Sequence, residues 1–173
     1  MKHPPIKRHA SMQPFSRDHY AGLVQAQRLM RAAEDTAAAR RDALASFLNA
    51  WRREIRSHFD EEERLLIPLI DDAGDVERLL DEHRTLRDFA HEAERQVNQH
   101  DPSRDWVREL GEMLRDHIRW EERELFGIIE QNADEQQMQS LGQQTQIIEN
   151  SRDRDSCSTK SGNARRQSSQ ERP

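Results

Sequence analysis

The chain has 173 residues, of which 34% are hydrophobic and 35% are charged, and it contains one cysteine, Cys157. This composition predicts one domain with a thin core, and it excludes both an intrachain disulfide framework and a cysteine-based metal site. The net charge is −6 for the whole chain and −9 for residues 1–150, so this part is expected to repel nucleic acid.

Membrane insertion and secretion are not expected from the sequence. The longest uninterrupted apolar run covers only residues 65–70 and includes Pro68, whereas a membrane-spanning helix needs about 18 or more apolar residues. The basic N-terminus lacks the apolar stretch of about 7–15 residues that a secretory signal contains. We therefore expect a cytoplasmic protein.

The first fourteen residues contain three prolines and predict an extended N-terminal arm. Four amphipathic helices are expected to follow, over residues 16–33 with Ser16 as N-cap, 36–70, 75–99 with Asp75 as N-cap, and 103–131. No strand-like alternation occurs in the sequence, and the connections between the helices are short. The pattern predicts an all-α fold, an antiparallel up-down four-helix bundle over residues 15–132.

The C-terminal part divides into two segments. Residues 133–149 are rich in glutamine and have apolar residues at roughly helical spacing, which predicts a short fifth helix packed on the bundle or on a second subunit. Residues 150–173 have no apolar period and are predicted to be a disordered tail. The sequence leaves open whether the protein is a monomer or a homodimer.

Ionisable residues interrupt the apolar face of every predicted helix of the bundle. They are His19, His58, Glu62, His83, His117 and Glu121. An unpaired charge in a core costs several kcal/mol, so we expect these residues to share a function that compensates this cost. In the second and fourth helices a glutamate follows the histidine by four residues, and that spacing lets both side chains reach the same ion.

The two histidine–glutamate pairs also belong to an internal repeat. The pattern H-x-x-x-E-E-R begins at His58 and again at His117, which indicates a bundle with pseudo-two-fold symmetry. Such symmetry suits two metal ions, each bound by histidines and bridged by the two glutamates. Imidazole and carboxylate ligands without sulfur suit iron, manganese or zinc, and a redox-capable pair favours iron.

The same segments resemble a known family. The sequences SRDHY, HFDEEERLLIPLI, DEHRTL and HIRWEERELF, one in each predicted helix, resemble the hemerythrin-like family of HHE cation-binding proteins over about residues 14–131. The resemblance implies a non-haem di-iron centre inside a four-helix bundle. The family's ligand positions fall on His19, His58, Glu62, His83, His117 and Glu121.

The chain departs from the oxygen-carrying hemerythrins at two ligand positions, as reduced-ligand bacterial members of the family do. Those carriers have a second histidine on the third helix where this chain has Arg87, and an aspartate five residues after the last histidine, where this chain has Glu121 at four. One coordination position is therefore expected to be open or filled by water, unless Glu61 or Glu124 fills it.

Reduced-ligand members are associated with gas or iron sensing, metal handling and stress functions. We therefore expect two bound iron ions and a small ligand, which is O2, NO or peroxide, in a sensor, store or stress protector. Two alternatives stay open at this point. One is a di-iron peroxidase or oxidase, and the other is a metal-free adaptor bundle.

Overall fold

The computed structural model describes the backbone of residues 7–164 and the side chains of residues 7–152. Helix α1 is Gln13–Ala33, and α2 consists of Ala37–Ala50, a π-helical turn Trp51–Ile55, and Arg56–Leu65. Helix α3 is Ala73–Gln96, α4 consists of Arg104–Trp120, a π-helical turn Glu121–Leu125, and Phe126–Asn132, and α5 is Glu135–Ala164. No strand occurs between residues 7 and 164, and the predicted all-α fold is confirmed.

Helices α1 to α4 form a bundle in which successive helices run antiparallel. Phe15 at the start of α1 packs in one apolar cluster with Leu65 at the end of α2. Leu29 near the end of α1 packs in a second cluster with Leu44 near the start of α2. Helices α3 and α4 also run antiparallel between the two clusters, and each contributes residues to both. The six predicted ionisable residues lie between the clusters.

Each of the two long helices α2 and α4 contains one π-helical turn close to these ionisable residues. The turn Trp51–Ile55 ends three residues before His58, and the turn Glu121–Leu125 begins at Glu121 itself. A π turn inserts one residue into the helical repeat and is frequent at functional sites. The two turns do not occupy equivalent positions of the sequence repeat, since the first precedes His58 and the second follows His117.

The N-terminal arm is shorter than predicted. Residues 10–14 are not extended, because Ala10–Met12 forms a 3-10 turn and α1 begins at Gln13. Pro14 lies in the first turn of α1, where a missing N–H costs no hydrogen bond, so the proline starts the helix instead of preceding it. Ser16 is therefore inside the helix and is not its N-cap. Residues 1–6 of the predicted arm lie outside the described residues.

Two other helix ends differ from the prediction for local reasons. The carboxylate of Asp72 accepts hydrogen bonds from the backbone N–H groups of Gly74 and Asp75, so Asp72 and not Asp75 caps α3. Helix α2 ends at Leu65, before the 3-10 turn Ile67–Leu69, because Pro68 cannot continue an α-helix.

Helix α5 packs on the bundle itself. Met138 and Leu141 are buried in the apolar cluster that contains Phe15. Gly142 allows close approach, since a Cβ there would lie 2.9 Å from Ser11 Oγ. The predicted tail does not begin at residue 150, because α5 continues to Ala164 and Arg152 holds it against the bundle. Residues 165–173 of that tail lie outside the described residues.

All the helices that the structure describes are too short or too polar to span a lipid bilayer.

Candidate metal centre

The structure brings all six predicted residues together in one buried layer of the bundle. Helix α1 contributes His19, α2 contributes His58 and Glu62, α3 contributes His83, and α4 contributes His117 and Glu121. None of the six is more than 5% exposed. Ionisable side chains this deeply buried require partners, so the distances among them decide what the layer can bind.

Glu62 faces histidines on three helices. Its Oε1 atom lies 3.1 Å from His58 Nε2 and 3.4 Å from His19 Nε2. Its Oε2 atom lies 3.4 Å from His83 Nε2. Glu62 thus has one oxygen toward the histidines of α1 and α2 and the other toward α3.

Glu121 occupies the equivalent position on α4. Its Oε2 atom lies 3.0 Å from His19 Nε2 and 3.4 Å from His117 Nε2, and its Oε1 atom lies 3.8 Å from His83 Nε2. Both carboxylates therefore face histidines from both halves of the bundle, as a bridging ligand must.

Two groups of donor atoms can each surround a cation. The first, called here the three-donor group, is His19, His58 and Glu62. The second, called the four-donor group, is Glu62, His83, His117 and Glu121. In each group every residue offers one donor atom within 4.8 Å of the others, and Glu62 belongs to both.

The donor atoms of the layer lack other partners among the described residues. Nine buried atoms of the six residues have no hydrogen-bond partner there: the four Nε2 atoms, His58 Nδ1 and all four carboxylate oxygens. An unsatisfied buried polar atom costs about 1–3 kcal/mol, so an empty layer of this kind would be strongly unfavourable. Cations placed between the nitrogens and oxygens would satisfy eight of the nine atoms, and the residues therefore fit a metal site.

The electrostatics of the layer are those of densely paired opposite charges. Burial lowers the pKa of His58, but attraction to Glu62 and Asp18 outweighs it and raises that pKa to about 9. Burial likewise opposes the rise of the His83 pKa, which Glu121 and Glu62 bring to about 10. Because a metal ion binds the neutral imidazole, cation binding near neutral pH displaces protons from these rings.

Comparison with known protein families agrees with this arrangement. A family model described as the hemerythrin HHE cation-binding domain matches residues 15–129, which span all six residues of the layer. The chain belongs to the hemerythrin HHE family. Comparisons with curated proteins and with solved structures gave no match.

A second set of carboxylates surrounds this hemerythrin site and orients three of its four rings. The Nδ1 atoms of His19, His83 and His117 lie 2.8, 2.8 and 2.9 Å from carboxylate oxygens of Glu122, Glu63 and Glu82, respectively. An ionised carboxylate can only accept a hydrogen bond, so in each of these three rings Nδ1 carries the hydrogen and the lone pair of Nε2 faces the centre of the layer. The fourth ring differs, because His58 Nδ1 lies 3.6 Å from Asp18 Oδ2, beyond hydrogen-bond distance.

Sequence reasoning missed these outer carboxylates, although the sequence carries a signal for them. Glu63 and Glu122 are the second glutamates of the two H-x-x-x-E-E-R repeats. Asp18 and Glu82 directly precede His19 and His83, in the pairs D-H and E-H. Each outer carboxylate faces the histidine of the next helix around the bundle, so the pseudo-symmetry includes the outer residues as well.

The two additional carboxylates that sequence analysis considered do not join either donor group. Glu61 accepts a hydrogen bond from Arg152, 2.7 Å away, and Glu124 is exposed. Arg87, at the position where oxygen carriers have a second histidine, pairs with Glu63 and Asp60 on α2. The assignment of the six residues as metal ligands stays a prediction.

Aromatic and aliphatic side chains enclose the layer. Phe59 stacks on the His83 ring with centroids 3.9 Å apart, and Phe126 stacks on the His19 ring at 5.3 Å. A cavity of about 10 Å³ lies beside the three-donor group, which is room for one water-sized molecule. Its lining includes Gly22, Ile55, Phe59, Leu114 and Ile118 together with His19 and His58.

Proposed function

We propose that this hemerythrin-family chain is a non-haem di-iron protein that binds a small gas or oxidant, such as O2, NO or peroxide. In this proposal it acts as a sensor, a store or a stress protector. The observation that carries the proposal is the cavity beside the three-donor group. It places room for one small molecule next to the group that has fewer protein ligands.

The donor atoms support two ions and favour iron. There are two donor groups that share Glu62, and the carboxylates of Glu62 and Glu121 each face histidines of both groups. Imidazole and carboxylate donors without thiolate suit iron, manganese or zinc, and only the first two of these change oxidation state readily. Two iron ions held here would supply reversible binding of O2 or NO, or reaction with peroxide.

The residues of this chain set what reaches the site. The cavity walls contributed by Ile55, Leu114 and Ile118 are apolar, so they favour a small uncharged molecule over an anion. The outer carboxylates keep three Nε2 lone pairs pointed at the centre. The three-donor group then offers the position for an exchangeable ligand, because it provides one protein donor fewer than the four-donor group.

The same observations rank the alternatives. A cavity for one water-sized molecule has no space for an organic substrate beside the three-donor group, which argues against an oxygenase or oxidase of large substrates. Peroxide needs much less room than an organic substrate, so a peroxidase is the second candidate. A metal-free adaptor would keep four histidines and two glutamates buried as ion pairs that make no hydrogen bonds of good geometry, which disfavours it.

The test is a titration of the anaerobic ferrous protein with nitric oxide, followed by visible absorbance. The proposal predicts saturation at one NO for each chain. Failure of the iron-loaded protein to bind NO or O2 would contradict the proposal. Sustained peroxide consumption at many turnovers for each chain would favour the peroxidase instead.

A further inference from the structure

Every outer carboxylate of the metal layer is itself paired with an arginine. Glu122 pairs with Arg8, Glu63 with Arg87, Glu82 with Arg78, and Asp18 with Arg152. The site therefore has three successive shells, which are a histidine, a carboxylate and an arginine. The two donor groups also differ in which segments of the chain supply their arginines.

The difference lies in where the arginines come from. Arg78 and Arg87, which serve the four-donor group, both belong to helix α3 of the bundle. Arg8 and Arg152, which serve the histidines of the three-donor group, lie before α1 and on α5, outside the four bundle helices. The group beside the ligand-sized cavity is thus the one held by segments that flank the bundle.

Of the four arginines, Arg152 makes the contacts that connect α5 to the metal layer. Its Nη1 donates to Asp18 Oδ2 at 2.7 Å, and its Nη2 donates to Glu61 Oε2 at 2.7 Å, so it connects α5 to both α1 and α2. The same Asp18 oxygen lies 3.6 Å from Nδ1 of His58. That nitrogen is buried and has no hydrogen-bond partner in the described part of the chain.

We propose that Arg152 is a positioning residue which holds Asp18 beside His58, so that docking of α5 and cation binding at the three-donor group stabilise each other. The inference rests on the proposed function, because it takes His58 as a metal ligand. The side chain of Asp18 is 30% exposed, so without Arg152 nothing opposes its rotation toward solvent, and His58 Nδ1 then loses the carboxylate that lies 3.6 Å away. By linkage, a cation on His58 strengthens the docking of α5 by the same factor.

A purely structural role for Arg152 makes a different prediction, and the chain offers a matched control. Arg17 on α1 forms the other ion pair with the same stretch of α5, to Glu149, and it contacts none of the outer carboxylates. Arg17→Gln and Arg152→Gln remove the same charge from the contact between α5 and the bundle, and they release one and two ion pairs, respectively. Only Arg152→Gln affects Asp18.

The experiment measures the rate of iron loss to an excess of a ferrous chelator, starting from the full-length protein loaded with two iron ions. Loss of a carboxylate that orients a metal-bound histidine typically costs 10–100-fold in metal affinity. We expect Arg152→Gln to release one of its two irons at least about tenfold faster than the unaltered protein, with the second released at the original rate. Arg17→Gln should match the unaltered protein, and Arg152→Lys should fall between the two.

A second measurement does not depend on iron release. Amide hydrogen exchange in residues 135–152 should slow on iron loading in the unaltered protein, and this slowing should be lost in Asp18→Asn. Equal iron-release rates for Arg152→Gln and Arg17→Gln, or an iron-induced slowing that survives in Asp18→Asn, would overturn the inference alone. An unaltered protein that retains no iron would overturn the proposed function, and this inference with it.

Discussion

Substitution of Gly22 by alanine tests whether the cavity beside His19 and His58 admits the small ligand. A Cβ at position 22 would lie 2.7 Å from Ile118 Cδ1, whereas carbon atoms in contact are about 3.5–4.0 Å apart. The end of the Ile118 side chain must therefore move by about 1 Å. Both residues line the cavity, which at about 10 Å³ has no spare volume, so the substitution closes it.

The expected size of the effect follows from the cost of crowding. An added methyl group in a packed site costs about 1–3 kcal/mol, and here the ligand-bound state bears that cost. The affinity for NO should fall about 5–150-fold. The folded protein itself should change little, because the helix propensity gained from Gly to Ala is about 1 kcal/mol and offsets part of the strain at the flexible end of Ile118.

The control is Gly127→Ala on α4. A Cβ at position 127 meets no atom within 4 Å, so this variant gains helix propensity without touching the cavity. The assay compares NO affinity and iron content for both variants. The reasoning is refuted if Gly22→Ala binds NO as tightly as Gly127→Ala while both hold the same amount of iron.

Three further predictions concern the metal and its surroundings. Iron at 1,000 times its dissociation constant should stabilise the protein by about 4 kcal/mol, which raises Tm by about 8–16 °C in calorimetry, and a Tm insensitive to metal removal would contradict the site. Glu82→Gln weakens the acceptor for His117 and should lower iron affinity 10–100-fold in a competition titration, unlike the exposed control Glu77→Gln. Gly142→Ala should destabilise the docking of α5 by about 1–3 kcal/mol, because its Cβ meets Ser11 Oγ at 2.9 Å, and unchanged hydrogen exchange in α5 would contradict this.

The six residues of the central layer were predictable because the helical period is strict. A histidine that replaces an apolar residue on the buried face must point inward, so one residue from each helix sufficed to place His19, His58, His83 and His117 in one layer. The spacing of four then brought Glu62 and Glu121 into the same layer. Periodicity fixes the direction of a side chain, and direction was all that this prediction required.

The outer carboxylates were harder to predict because they lie at the edge of the buried face. Glu63 directly follows Glu62, so it is turned by about 100° from the centre and looks like an ordinary surface residue. Only the neighbouring helix, which brings His83 within 2.8 Å, gives it a role. The recurrence of the same glutamate in both copies of the repeat was the available signal.

The flanking segments could not be predicted because their contacts depend on tertiary structure. Arg8 and Arg152 stand in polar sequence without any apolar period, and the residues they pair with lie more than 90 positions away in the chain. The two π-helical turns were also missed, since one inserted residue leaves the apolar pattern nearly unchanged.

The central claim is that the buried layer binds two iron ions, and metal content tests it most directly. The full-length protein is loaded anaerobically with ferrous iron, desalted and analysed beside the double variant His58→Ala, His117→Ala, which removes one histidine from each donor group. The account predicts about two irons for each unaltered chain, as the two donor groups require, and loss of both in the variant. An unaltered chain that retains no metal, or a variant that retains as much iron as the unaltered chain, would contradict it.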